Sequence, residues 1–165
     1  SRYRSTTSGL RSTASSAVRL PSMRIDVLNG VNLNLLGKRD PATYGEESLQ
    51  DLETQVYAWA RELDLQVRCR QTNHEGEYVG FIHHALGAAD GLVLNPGAWT
   101  HYAWSIRDAL EPFGRPFVEV HLSDIDNREE WRRFSVLADL GGARVVGKGF
   151  TGYRDALRLL AEQAE

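Results

Sequence analysis

The sequence holds a single cysteine, Cys69, and a single methionine, Met23. One thiol permits no intramolecular disulfide and no multi-cysteine zinc site. Cys69 is read as a buried thiol of a protein kept in a reducing compartment. No apolar run approaches the roughly 20 residues that a membrane helix needs, so no membrane partner is expected. Acid is missing altogether from residues 1–22, which carry Arg2, Arg4, Arg11 and Arg19 among seven serines and three threonines. Such a stretch buries too little apolar surface to offset its ordering entropy. We read residues 1–22 as a disordered extension, a tag or misread start ahead of Met23, with a transit-like peptide as the rival reading. The net charge is −3 and the extension contributes +4, which leaves −7 on residues 23–165. A domain of that sign repels phosphate backbones, so nucleic acid is not an expected partner, whereas a small carboxylate at one basic site is compatible with it.

The 165 residues are 42% hydrophobic and 25% charged, enough for one packed domain over 23–165. Apolar runs alternate with helical patterns. Strands are expected at Ile25–Leu28, Leu65–Arg70 (an edge strand, by its alternation), Gly91–Leu94, Pro116–Val120 and Arg144–Val146. Helices are expected over 48–63 with Ser48 as N-cap, over 75–87 closing at Gly87, over 103–112 ending with Pro112, and over 152–164. A short helical turn is expected within 128–135. Five strands alternating with helices predict an α/β three-layer sandwich on a parallel sheet. Right-handed crossovers favour the flavodoxin-like order 2-1-3-4-5.

In such sheets a site forms beyond the carboxyl ends of the strands. The segments after strands 1, 3 and 4 are the ones to inspect. They run Asn29–Gly45, Asn95–His101 and His121–Arg128, and all three are polar. Their asparagines, histidines, arginines and tyrosine suit a polyhydroxylated anion. His74, Glu75, His83 and His84 lack the HExxH spacing, and Asp124-x-Asp126 lacks the glycine of a calcium loop, so no metal is expected. Glu75 is read as opening a helix. Gly147-Lys-Gly149-Phe-Thr-Gly152 fits a dinucleotide pattern by letters, but it follows the last strand and is read as a turn into the final helix.

Residues 24–165 resemble type II 3-dehydroquinate dehydratases. The resemblance rests on Asn29-Gly-x-Asn-Leu-Asn-Leu-Leu-Gly37, on Arg39 with Pro41 and Tyr44-Gly45, and on Gln71-x-Asn-His-Glu-Gly76. Asn95-Pro96 with Thr100-His101, Glu119-Val-His121-x-Ser123 with Arg128-Glu129 and Arg132, and Gly147–Tyr153 complete it. The resemblance implies a cytoplasmic lyase without metal or organic cofactor, assembled as a dodecamer (a tetramer of trimers). Its reaction is the reversible dehydration of 3-dehydroquinate to 3-dehydroshikimate through an enolate, in the shikimate pathway to aromatic amino acids or in quinate use.

That chemistry needs a base, a group that stabilises the enolate oxygen and an acid for the departing hydroxyl. Tyr44 matches the family's base. A free phenol titrates near 10 and a nearby guanidinium favours its anion, the role matched by Arg39. Asn32 matches the holder of a water against the enolate oxygen, and His121 the general acid, with Asn95 orienting acid and substrate. Ala98, His101 and Arg132 fall in the substrate-binding set, and Ser123 with the Leu122 and Ser123 amides would hold the carboxylate. Arg128 sits on the lid side, and residues 37–45 resemble the family's mobile lid. Asp108 matches an acid that reaches a neighbouring subunit's site. Asn29 and Arg133 are given structural and solvated roles.

Val31, Trp99, the Tyr102-Ala103 pair and Phe134 depart from the family's usual residues. Tyr102 and Ala103 are expected nearest the substrate hydroxyls, where they would alter affinity. They motivate an alternative, a catalytically weak paralogue that binds a related cyclic polyol acid. A flavin- or nucleotide-binding module is the third reading, disfavoured because the loop after strand 1 is rich in asparagine and not a phosphate cradle.

Overall fold

The computed structural model describes residues 21–164, so the expectations for residues 1–20 lie outside it. Five strands, β1 (Arg24–Asn29), β2 (Gln66–Gln71), β3 (Gly91–Asn95), β4 (Phe117–His121) and β5 (Ala143–Val146), form one parallel sheet. Its order is β2-β1-β3-β4-β5, the predicted flavodoxin-like arrangement, with β2 at an edge. The helices are α1 (Pro41–Tyr44), α2 (Leu49–Glu62), α3 (Glu75–Ala88), α4 (Trp104–Leu110) and α5 (Thr151–Gln163).

Alternation along the strands divides the core in two. Ile25, Val27, Val93, Val118 and Val120 face α2 and α5, and Leu28, Leu92 and Leu94 face α3 and α4. Central parallel strands are covered on both faces, which is why β1 and β3 read as nearly unbroken apolar runs. On α5, Tyr153, Ala156, Leu157 and Leu160 are fully buried at i, i+3, i+4 and i+7. Truncating Leu157 to alanine there would cost about 2–5 kcal/mol.

Ser48 caps α2 as expected. Its hydroxyl accepts from the Asp51 amide at 3.1 Å while the Asp51 carboxylate accepts from the Ser48 amide at 2.9 Å, a reciprocal capping box. Glu75 opens α3, where a negative charge suits the helix dipole. Gly87 does not end α3. The helix runs through it to Ala88 and stops where Ala89 packs into the core in extended conformation. Likewise α4 stops at Leu110, two residues before Pro112, which has no N–H to continue the ladder and sits in a 3₁₀ turn over Glu111–Phe113. Cys69 is half-buried and not buried, because β2 is the edge strand. Its thiol is pushed up to about 12, mainly by desolvation.

The register brings Asn29 opposite Asn95 at the carboxyl ends of β1 and β3, with His121 ending β4. The loops beyond them touch backbone to backbone. A Cβ on Gly30 would lie 2.3 Å from the Pro96 carbonyl oxygen, and one on Gly97 2.6 Å from that of Val31. Gly97 also has φ 65°, a left-handed conformation that glycine adopts without steric cost. Small residues at these two points let the loops after β1 and β3 close around a common space. The 147–152 segment turns directly into α5, as read from its place after the last strand.

Candidate active site

A cavity of about 290 Å³ opens at the carboxyl ends of β1, β3 and β4. Asn32, Arg39 and Tyr44 line it from the segment after β1, and Asn95, Ala98 and His101 from the end of β3 and the loop after it. His121, Leu122, Ser123, Arg128 and Arg132 complete it from β4 and the loop after it. Every residue singled out from the sequence is there except Asp108, which is exposed on α4 and lines a separate open hollow with Trp104 and Glu111. Trp131 also lines the cavity and carried no role in the sequence reading. Its spacing from Arg132 gave no reason to separate it from a surface aromatic.

One wall is buried and tied together by hydrogen bonds. His121, 5% exposed, holds the Glu119 carboxylate through Nε2 at 2.6 Å. Glu119 is 2% exposed and also accepts from Thr100 Oγ1 at 2.9 Å and from Ser135 Oγ at 2.7 Å. Burial alone would raise its carboxyl. The hydrogen bond and charge of His121, with the two hydroxyl donors, outweigh that and hold it below the usual carboxylate range. Since the Nε2 side of His121 is occupied, Nδ1 is the nitrogen left for the cavity. His101 lies nearly parallel to His121 with ring centres 6.4 Å apart. Its Nδ1 donates to the Phe134 carbonyl at 2.7 Å, which makes Nε2 the acceptor in the neutral ring. Desolvation is the main reason its titration is pushed down.

Asn95, 3% exposed, donates from Nδ2 to the Tyr153 hydroxyl at 2.8 Å, and that hydroxyl donates to Asn29 Oδ1 at 2.6 Å. Burial drives the Tyr153 phenol upward, so it serves as a neutral hydrogen-bonding link. Asn29 is thereby a structural residue of the site's floor. Asn32 adopts the left-handed conformation (φ 67°), and its amide donates to Asn73 Oδ1 at 2.9 Å.

The opposing element is α1, one turn begun by Pro41 and capped by Asp40, which accepts from the Ala42 amide at 3.1 Å and from Thr43 Oγ1 at 2.6 Å. It ends on Tyr44. The Tyr44 hydroxyl accepts a hydrogen bond from Arg128 Nη1 at 2.9 Å. Arg39 stacks on the ring face, its guanidinium carbon 4.2 Å from the centroid. Two cations therefore meet this phenol, one at its oxygen and one over its face. Arg128 Nη1 also reaches Ser123 Oγ at 3.3 Å, which ties α1 to the loop after β4. Arg132 pairs with Glu129 at 2.8 Å and stacks on Trp131 at 4.1 Å, whereas Arg133 is exposed as read.

The departures fall differently from the expectation. Ala103 is buried in the core between α3 and α4, and Tyr102 is 57% exposed, and neither lines the cavity. The peptide turns at Tyr102 so that the small residue packs inward, which letters alone do not reveal. Trp99 is core, edge-on to Tyr78 at 5.5 Å, and only Val31 lines the cavity. Phe134 contributes its carbonyl to His101, a contact independent of its side chain.

The family model for class II dehydroquinases matches residues 23–161. A protein from Pelotomaculum thermopropionicum named 3-dehydroquinate dehydratase is 46% identical over 142 residues, 86% of this chain and 99% of that one. The crystal structure of a type II dehydroquinase from Propionibacterium acnes superposes with a TM-score of 0.83 at 42% identity, covering 86% of this chain and 97% of that one. One from Butyrivibrio crossotus gives 0.82 at 40% identity, covering 84% and 97%.

Proposed function

The chain belongs to the class II dehydroquinase family, and from that premise we propose that it is a hydro-lyase that interconverts 3-dehydroquinate and 3-dehydroshikimate in the cavity beyond β1, β3 and β4. The observation that carries this reading is the convergence of two proton-transfer groups on one cavity. These are Tyr44, whose hydroxyl meets Arg128 at 2.9 Å, and His121, whose far nitrogen is held by buried Glu119.

Tyr44, as phenolate, takes the proton from the carbon beside the ketone. Arg128 donates to the Tyr44 oxygen and Arg39 covers its ring face. Asn32 holds a water against the oxygen of the resulting enolate. His121 then protonates the hydroxyl that leaves from the adjacent carbon, using the proton on Nδ1. Asn95 orients substrate and acid. Ala98, His101 and Arg132 bind the ring's hydroxyl edge, and Ser123 with the Leu122 and Ser123 amides holds the carboxylate. The 37–45 segment is the lid that excludes water while the enolate exists. The family resemblance further supports a cytoplasmic dodecamer, a tetramer of trimers, in which Asp108 completes a neighbouring copy's site.

The test is direct. Purified protein mixed with 3-dehydroquinate should develop the enone absorbance of the product, at a rate unchanged by a chelator. Absence of turnover with retained binding of the substrate would overturn the reading.

A further inference from the structure

The segment from Phe134 to Leu137 contacts His101 directly and reaches His121 through the Glu119 carboxylate. The Phe134 carbonyl accepts from His101 Nδ1 at 2.7 Å. The Val136 amide donates to the Thr100 carbonyl at 2.8 Å, which anchors the segment against the His101 turn. Ser135 Oγ accepts from the Leu137 amide at 3.1 Å and has one proton to give, which goes to Glu119 at 2.7 and 3.1 Å from its two oxygens. Thr100 gives its own hydroxyl proton to the same carboxylate at 2.9 Å.

We propose that Ser135, with Thr100 as its partner, is a positioning residue that locks Glu119 as a carboxylate and so commits His121 to the Nε2–H tautomer, leaving Nδ1 to carry the proton exchanged in the cavity. The inference rests on the assignment of His121 as the acid in the proposed reaction.

The count of donors carries the argument. A carboxylate only accepts, and it satisfies His121, Ser135 and Thr100 at once. A protonated Glu119 would bring a fourth proton among these three donors, whose only other contact with one another is the longer one between Thr100 Oγ1 and Ser135 Oγ at 3.4 Å. The charged and titratable groups around Glu119 are few. His121 lies beside it on β4, and Arg144 on β5 brings Nε to 3.8 Å. Arg144 is shared with Asp126 at 3.7 Å. The parallel ring of His101, which also feels the charge of Arg132, and the buried Tyr78 phenol on α3 complete the set. Arg144 is at ion-pair and not hydrogen-bond distance, so beside His121 the two hydroxyls are the neutral groups that hold this carboxylate in place.

The same arrangement gives the two histidines opposite tautomers. His101 is protonated on Nδ1 and offers Nε2 as an acceptor, whereas His121 keeps its Nε2 proton against Glu119 and gains and gives up its second proton at Nδ1. One four-residue segment thus sets one ring to receive a substrate hydroxyl and the other to exchange a proton.

The test uses the full chain with ¹⁵N-labelled histidine and the continuous dehydration assay. In wild type, the His121 resonances should show Nε2 protonated in both forms of the ring, with Nδ1 the nitrogen that gains and loses the proton. The Nδ1–H tautomer there would overturn the proposal without any variant and without turnover. Ser135→Ala should move the acid limb of the kcat profile about one unit towards neutral pH, because the carboxylate loses a charge-assisted donor. It should lower kcat about tenfold with KM within twofold, and Ser135→Thr should restore both. A Ser135→Ala protein with an unchanged limb and unchanged ¹⁵N spectrum, altered only in melting temperature, would show a merely structural serine. Should wild type show the expected tautomer but no dehydration, the assigned reaction fails and the tautomer assignment survives.

Discussion

The two sides of the cavity are built on different physics. His121, Glu119, Thr100 and Ser135 sit at strand ends and in the turns packed on them, between 0% and 5% exposed, joined by hydrogen bonds that converge on the Glu119 carboxylate. Tyr44 sits on a one-turn helix in an irregular segment, and its site contacts come from two arginines reaching in from solvent-accessible positions. The buried wall keeps its protonation states by geometry. The α1 side depends on long side chains that must be ordered, so it combines lower intrinsic stability with freedom to open. An acid that must present one particular nitrogen gains from the first construction. A base that must let substrate in and then cover it gains from the second.

The largest expected effect breaks the α1 side alone. Tyr44→Phe should reduce kcat by about 10³-fold or more while KM stays within a few-fold and the melting temperature is unchanged. Steady-state kinetics and a thermal melt check it, and near-normal turnover would remove Tyr44 as the base. The corresponding break on the buried side is Glu119→Gln. It turns an all-acceptor group into one carrying two N–H donors among donors. It should cost roughly 3 kcal/mol in urea unfolding as well as slowing turnover. A stability loss on this side and none on the other is the contrast between the two walls in measurable form.

Smaller effects sharpen the comparison. Arg128→Met removes the donor to the Tyr44 oxygen and should lower kcat about 10–100-fold, with stability within about 0.5 kcal/mol because the group is at the surface end of its contacts. The smallest effect is pH-dependent. His101 is desolvated, so the folded ring takes up a proton less readily than the unfolded one. The unfolded chain therefore binds more protons below about 6.5, and stability falls as pH drops through that region. Glu119 adds to this at lower pH, since its depressed carboxyl contributes stability that is lost as pH falls through its folded value. His101→Gln should flatten the first part of that slope in urea titrations between pH 7 and 5, and leave the later part in place.

Sheet order and cavity lining were legible in the sequence because both follow from strand ends. Asn29, Asn95 and His121 each close an apolar run, and parallel register carries all three to one edge. Ser48 announced α2 through a local side-chain cap that needs nothing from the rest of the chain. What was not legible depends on distant partners. Nothing in Arg39 and Arg128 as letters says which meets the Tyr44 oxygen and which its face. Glu119 enters only as a letter of the Glu119-Val-His121 motif, and its role depends on Thr100 and Ser135, brought to it across 19 and 16 residues. Gly87 and Pro112 misplaced two helix ends because core packing of Ala89 and the reach of the missing proline N–H set those ends.

A crystal structure with a substrate mimic bound tests the central claim most directly. The account predicts the ring inside this cavity, with the Tyr44 oxygen about 3–3.5 Å from the carbon beside the carbonyl and His121 Nδ1 within hydrogen-bond reach of the departing oxygen. A mimic seated elsewhere, or seated here with the phenol turned from that carbon while residues 37–45 cover it, would contradict the account.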